Sequence, residues 1–423
     1  MKSYLESRIC FHGMFLVLLI VLLYPVQGYS LDNERWSSGL SFHFYPPGAR
    51  ALGMGGAFVG LADDATAAAS NPAGLAQLTR MQIAVEGRYI SQDSDKKAFH
   101  WSGGGYGGPY TTSSRMDDVT NLSFGGFTTP IFNNSFNLAV FYDRPLNMSS
   151  SKYSRQTFAN SSRYAEYPNS SDFSMDEFGV SVARGWFDGK FMLGFGLSAQ
   201  RFDIGGNVNW YDGRRLYESA SIDDSGIQPA VRMGMLVKPI NDLRIGLSYT
   251  YMPSFGYSET YHNVLTGVDT KFETDFNMPD NISGGLAYNI FPNWVALLEL
   301  RYILYSQLKD CFITSVRYPF ENATASNYSV DDILEIHFGT EYILNAIPNV
   351  PIALRGGIYY EPAHDLKYNG AGNIQRHLFD GGDSQMHYTF GTGVVLMNHY
   401  QVDVGADLTS ESQNVAVSMV YQF

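Results

Sequence analysis

Charged residues two positions apart are the most chemically suggestive feature of this 423-residue chain. Glu299 and Arg301 form one such pair and Glu335 and His337 another, joined by Glu341, Arg355 and, earlier, Arg244. In an extended strand a spacing of two puts both members on the same face. Arginines with spare donors on that face can hold the carboxylate of a ligand head group. The same residues can instead close on one another as ion pairs inside a confined space. Both readings stand at the level of sequence. A second constellation, Asn71-Pro72-Ala73-Gly74, ends a stretch of small residues from Gly48 to Leu78. The proline pushes the residue before it out of helical geometry, so a helix must stop there.

Other chemistries lack their frameworks. Serines, histidines and aspartates are present, but none sits in a Gly-x-Ser-x-Gly or other nucleophile context. Gly53-Met54-Gly55-Gly56 has neither the preceding strand nor the spacing of a dinucleotide loop. No His-Glu-x-x-His pair exists, and only His364-Asp365 and His377 share a predicted loop with metal-ligating residue types. We expect no enzyme, no cofactor and no metal.

The elements that must position these residues follow from the alternation. In Asn414–Phe423, Val415, Val417, Met419, Tyr421 and Phe423 share one face, and Asn414, Ala416, Ser418 and Gln422 share the other. The same period of two runs through 400–408, 334–342, 352–358 and 191–198. In each, aliphatic and aromatic residues oppose glycines and charges. Apolar outside with polar inside is the pattern of a lipid-facing barrel, whereas a soluble β-protein would cover its apolar face.

Fourteen segments of this kind lie near 81–90, 119–131, 135–148, 174–187, 190–204, 226–238, 242–256, 277–290, 293–308, 330–344, 350–361, 384–397, 399–409 and 412–423. Short links such as Asn133-Asn134 and Asp188-Gly189 have hairpin chemistry. They alternate with long links rich in Ser, Asn, Tyr and Gly, expected as solvated external loops. The fold expected is all-β, a 14-stranded antiparallel transmembrane barrel over 79–423.

Composition agrees. Charged residues are 16%, aromatics 15%, and net charge is −13 with no basic cluster, so nucleic acid is not an expected partner. Residues 1–28 read as a cleaved signal peptide, with Lys2 and Arg8 ahead of the apolar Gly13–Leu23 run and small residues near Gly28. Cys10 leaves with it, and Cys311 alone cannot form an intrachain disulfide. Terminal Phe423 resembles the end signal of bacterial outer-membrane barrels, which the barrel-assembly machinery reads. A monomer surrounded by outer-membrane lipid is expected.

Residues 29–78 remain. They lack strand alternation and are too short for a core of their own. Arg50–Gly60 and Ala62–Ser70 can form short helices, the second opening on Asp63-Asp64. The segment is either a periplasmic tail or a plug in the ring, since fourteen strands enclose more volume than their own side chains fill.

The run GARALGMGGAFVGLADDATAAASNPAGLA, with its Gly-Met-Gly-Gly, Ala-Asp-Asp and Asn71-Pro72-Ala73 elements, resembles the N-terminal hatch of the FadL family. Those are outer-membrane transporters of long-chain fatty acids and aromatic hydrocarbons. The resemblance implies a hatch over 29–78 that closes the lumen and gates at Asn71, Pro72, Ala73 and Gly74. It implies a hydrophobic ligand captured at external loops, passed to an apolar luminal pocket and released laterally through a break in the wall. The candidate for that break in the third strand is Arg144-Pro145, since proline cannot donate to a ladder. Alternatively Pro145 ends the strand at its outer rim. Two other functions stand beside uptake: a barrel that scaffolds secreted proteins, and a general porin.

Overall fold

The computed structural model describes residues 42–92, 96–101, 107–116, 118–133, 135–158, 163–167, 171–212, 214–310, 325–371, 376 and 379–423. The leader at 1–28, Asn134 and His377 lie outside them. The wall runs through β1 (Gln82–Gln92), β2 (Val119–Ile131), β3 (Phe136–Phe158), β4 (Ser171–Trp186), β5 (Phe191–Asp212), β6 (Arg215–Ile240) and β7 (Leu243–Tyr251). It continues through β8 (Asn281–Phe291), β9 (Trp294–Ile303), β10 (Ile333–Ile347), β11 (Val350–Glu361), β12 (Gln385–Leu396), β13 (Tyr400–Leu408) and β14 (Ser412–Gln422). Each strand pairs antiparallel with the next. The ring closes where β1 meets β14, from Gln82 opposite Gln422 to Gln92 opposite Ser412. The chain is thus a closed 14-stranded antiparallel barrel, whose first and last strands pair with each other instead of presenting open edges.

Alternation sorts the side chains as the sequence requires. Leu197, Phe338 and Val417 face outward and are about half exposed, at 54%, 52% and 50%. Their opposite-face neighbours Glu299, Glu335, Glu341, Arg232, Arg301 and Arg355 are buried in the lumen. So broad an apolar exterior is stable only against lipid, since each exposed Å² would cost about 25 cal/mol in water.

Three differences from the sequence expectation have physical causes. The first is that the left-handed backbone begins one residue before the expected links, at Phe132 and Phe187, where successive residues take φ values of 51° and 55°, and of 56° and 57°. The turn hydrogen bonds from Ser135 N–H to Phe132 and from Lys190 N–H to Phe187 keep the links themselves where the sequence put them. That geometry matches the strand twist of a two-residue hairpin. It leaves Phe132 and Phe187 projecting at 76% exposure, as aromatic residues at a membrane interface do. Second, much of what reads as external loop is strand. β3, β5 and β6 run on past the predicted ends, and 254–277 forms a hairpin of Ser254–Asn263 with Val268–Asn277. Ser, Thr and Tyr are compatible with a pleated ladder, and extending it satisfies backbone groups that a loop would leave to water.

Third, the helices near the N-terminus are shorter than expected: α1 (Ala49–Leu52), α2 (Ala67–Ser70) and a 3₁₀ turn over Pro72–Gln77. α1 cannot extend, because Gly55 and Gly56 turn the backbone to φ of 68° and 74°. Most of residues 47–75 are buried, and their contacts run around the inner wall: α1 against β12, β13 and β14, α2 against β3 and β4, and the 3₁₀ turn against β4, β5 and β6.

Candidate functional site

Inward glycines decide how closely that segment can approach. A Cβ added at Gly194 or Gly234 would lie less than 3.0 Å from the backbone or side chain of Asn71-Pro72-Ala73. One at Gly246 or Gly285 would collide with Val59-Gly60, one at Gly339 or Gly357 with Met54-Gly55, and one at Gly405 with Ala49. The alternation of glycine with apolar residues along these strands is thus a belt into which another backbone fits. The segment's own alanines complete a dry packed layer around Phe58 and Leu61.

Asn71 is the fully buried centre of this contact. Its Nδ2 donates to the Val59 carbonyl at 2.8 Å and, across to β6, to the Met235 carbonyl at 3.3 Å. Its Oδ1 accepts from Ala73 N–H at 3.2 Å and caps the 3₁₀ turn that Pro72 opens. Pro72, Ala73 and Gly74 are buried with it, and a Cβ on Gly74 would meet Ala62.

The charged constellation is assembled as a closed network. Arg301 donates to Glu299 at 3.0 Å and to Glu335 at 3.4 Å, while Glu299 Oε2 also accepts from the N–H groups of Phe58 and Val59. His337 bridges the Gly55 carbonyl and Glu335. Arg50 forks onto Glu341 at 2.8 and 2.9 Å and reaches Asp63 at 2.7 Å. Arg355 shares Glu341 and pairs with Asp403, and Arg244 pairs with Asp63. All seven sequence candidates are therefore engaged with one another, with the wall or with the N-terminal segment. Arg50 was not among those candidates. Burial opposes its charge, yet Asp63, Glu341 and Asp64 together hold its guanidinium well above the usual range. Burial pushes the Asp64 carboxyl up, with Arg50 acting against the rise.

Arg144-Pro145 lies within a continuous β3, not at its end. The β3–β4 ladder shifts register between Asp143 and Leu146. On the other side, β2 pairs with β3 only from Ile131–Phe136 to Phe124–Asp143. Farther out, β3 pairs with the strand Gly107–Met116 from Ser150 onward. Among the described residues, 144–149 therefore have no ladder partner on the β2 side. The Pro145 carbonyl instead accepts the Tyr45 N–H at 3.1 Å, and Arg88 on β1 donates to the Pro46 carbonyl at 2.7 Å. Tyr45-Pro46 is thus held behind the interruption from both sides. A cavity of about 80 Å³ adjoins it, lined by Phe44, Tyr45, Asp143, Pro145 and Met252 among others.

Beyond this layer part of the lumen is filled by apolar side chains. Leu146, Met148, Phe173, Met175, Phe202, Phe255 and Phe276 form one buried cluster. Phe173 meets Phe202 edge-on at 4.2 Å, and Phe202 stacks on Phe255 at 4.6 Å. Phe42 enters the cluster, 5.2 Å from Phe173 and 5.6 Å from Phe276. Sequence reading missed Phe42 and its neighbour His43 because the run Phe42-His43-Phe44-Tyr45 has no periodicity. Its only signal was three aromatics in a segment otherwise made of small residues.

A closed barrel with an apolar exterior, an N-terminal segment packed in its lumen and a buried apolar cluster beyond it defines the class of outer-membrane β-barrel proteins. The sequence profile of the family described as outer membrane protein transport protein (OMPP1/FadL/TodX) matches residues 44–418, and the chain belongs to that family. Among solved structures it is similar to a Pseudomonas aeruginosa FadL homologue, with TM-score 0.64 and 13% identity over 90% of this chain and 100% of that one. It is also similar to the Ralstonia pickettii toluene transporter TbuX (0.59, 14%, 90% and 98%) and the P. putida toluene transporter TodX (0.59, 14%, 90% and 99%). At such identities the likeness concerns the fold. No curated protein matches the sequence.

Proposed function

We propose that this protein sits in the outer membrane and passes hydrophobic small molecules, of the fatty acid or aromatic hydrocarbon class, inward by passive diffusion. The observation that carries the reading is the buried aromatic and methionine cluster in the outer lumen, entered by Phe42 and backed by the glycine-docked segment. A polar-solute pore has no use for such a lining, whereas an apolar molecule gains from it by leaving water. The 80 Å³ cavity is smaller than the ~150 Å³ dry cavity known to admit benzene. The conformation described is thus closed, and Phe42 and Tyr45 must move for cargo to pass. Cargo then leaves between β2 and β3, where the ladder is interrupted and lipid is the neighbouring solvent.

An uncharged hydrocarbon fits this lumen better than a fatty acid. Among the described residues, the inward Arg88, Arg232, Arg244, Arg301 and Arg355 are all paired with carboxylates. Titration of the purified protein with an alkylbenzene and with a fatty acid tests both levels. Binding of neither would overturn the uptake reading, and displacement of hydrocarbon by excess fatty acid would overturn the preference.

Two variants test the route. Asn71→Ala removes two buried hydrogen bonds and a part-buried one, taking a partner from the Val59 carbonyl and from the Ala73 N–H, at about 1–3 kcal/mol. Uptake by cells should change while heat-modifiable migration stays intact, and unchanged uptake would return Asn71 to a packing role. Deleting Arg144 and Pro145 shortens the stretch of β3 that lacks a β2 partner and should close the lateral exit. Hydrocarbon uptake should fall at least tenfold with ligand binding retained; normal uptake by the deletion variant would exclude that exit.

A further inference from the structure

We propose that His43, Glu361 and His364 form a zinc-type metal site that staples the N-terminal segment to β11. His43 Nδ1 lies 2.9 Å from Glu361 Oε1, and His364 Nε2 lies 3.9 Å from the same oxygen. One ligand atom from each falls within 4.8 Å of the others. Three donors about 2.1 Å from a shared ion lie about 3.4–3.6 Å apart in tetrahedral or trigonal geometry, so closing the shell draws the widest pair together by up to about 1.3 Å.

The chemistry around His364 asks for a positive charge between these groups. Its Nδ1 is 3.0 Å from the Pro362 carbonyl, and its Nε2 is 3.0 Å from the Phe42 carbonyl. A neutral imidazole has one N–H and can satisfy only one of them. With that proton on Nδ1, donated to Pro362, the Nε2 lone pair faces the Phe42 carbonyl and the Glu361 carboxylate. A ring nitrogen fixed by a backbone carbonyl, with its partner nitrogen aimed at other donors, is the usual arrangement of a metal-bound histidine. The carboxylate is oriented in the same way. Glu361 Oε2 pairs with His387 Nε2 at 2.9 Å, and His387 Nδ1 lies 3.0 Å from Asp407.

Two imidazoles and a carboxylate select a first-row divalent ion over calcium or magnesium. The Phe42 carbonyl, which accepts from the Tyr305 hydroxyl at 2.7 Å, offers a further oxygen 3.0 Å from His364 Nε2. A cavity of about 20 Å³, bordered by His43, Glu361 and His387, has room for one bound water. The sequence had grouped His364 with Asp365 and His377 and expected no metal. The partners that matter come instead from a segment more than 300 residues away.

The test reads metal binding, so it is independent of cargo transport. The full chain in detergent, stripped with a chelator, is titrated calorimetrically with Zn²⁺, and Co²⁺ uptake is followed by its visible absorption. One ion per chain is expected, with binding abolished in His43→Ala and in His364→Ala. His387→Gln should keep the stoichiometry and weaken affinity 10- to 100-fold. His43→Ala cannot compromise the wall, and heat-modifiable migration checks that for the others. No binding by the native chain would mean the cluster carries protons only, and binding unchanged in both histidine variants would locate the ion elsewhere. Either result overturns the site.

Discussion

Gly194→Leu combined with Gly234→Leu should turn a silent barrel into a conducting one. Both glycines face the lumen on neighbouring strands, and any Cβ there meets the backbone of Pro72-Ala73 or the side chain of Asn71. At Gly194 the obstacle is backbone, which cannot swing aside as a flexible side chain can. Overpacking costs about 1–3 kcal/mol per site, and each 1.4 kcal/mol shifts the docked population about tenfold. The wall itself should survive, since leucine fits a strand and the side chains point away from lipid. Planar-bilayer recording is the measurement, with heat-modifiable migration to show assembly. Gly205→Leu on the same β5 is the control, because nothing lies within 4 Å of a Cβ there. Assembled double-variant barrels that carry no current would refute the idea that this belt seats the plug.

The wall was legible because a barrel repeats one local rule. Val415, Val417 and Met419 against Ala416 and Ser418 state the inside and the outside without reference to any other strand, and the exposures obey it. The inward glycines were visible by the same rule, though not their purpose. Close approach is a property of two segments, and Gly339 gives no sign that Met54 will lie on it. The lumen was half legible. Glu299, Arg301, Glu335 and Glu341 were placed on the right face, but pairing depends on which turn of the N-terminal segment stands opposite. Arg50 and His43, whose partners are 291 and 318 residues away, belong to a stretch without periodicity. The outer halves of β3, β5 and β6 were missed for a different reason. Their Ser- and Asn-rich composition is what a solvated loop has, and only a neighbouring strand supplying hydrogen bonds makes it a ladder.

Arg50→Met should also release the N-terminal segment, and in a pH-dependent way. Among the described residues, Arg50 is the one cation that touches Glu341, Asp63 and Asp64 together. Arg355 and Arg244 still answer Glu341 and Asp63 when it is gone, but Asp64 is left with hydrogen bonds from Thr66 alone. Removing one partner of a buried pair costs about 3–5 kcal/mol, enough to populate the undocked state. The sign of the pH effect follows from Asp64. Burial raises its carboxyl in the docked state, with Arg50 opposing the rise. Its contribution to docking is therefore full below the ordinary carboxylate range and is lost as pH climbs through that range toward the raised value. Without Arg50 the rise is larger, so the defect is greatest at neutral pH and shrinks on acidification as Asp64 takes up a proton. Arg50→Lys keeps the charge but not the fork on Glu341 and should fall between the two. Bilayer conductance of the three proteins at neutral and acid pH decides the matter. Equal currents at neutral pH, or a defect that deepens in acid, would show that this ion pair does not hold the segment in place.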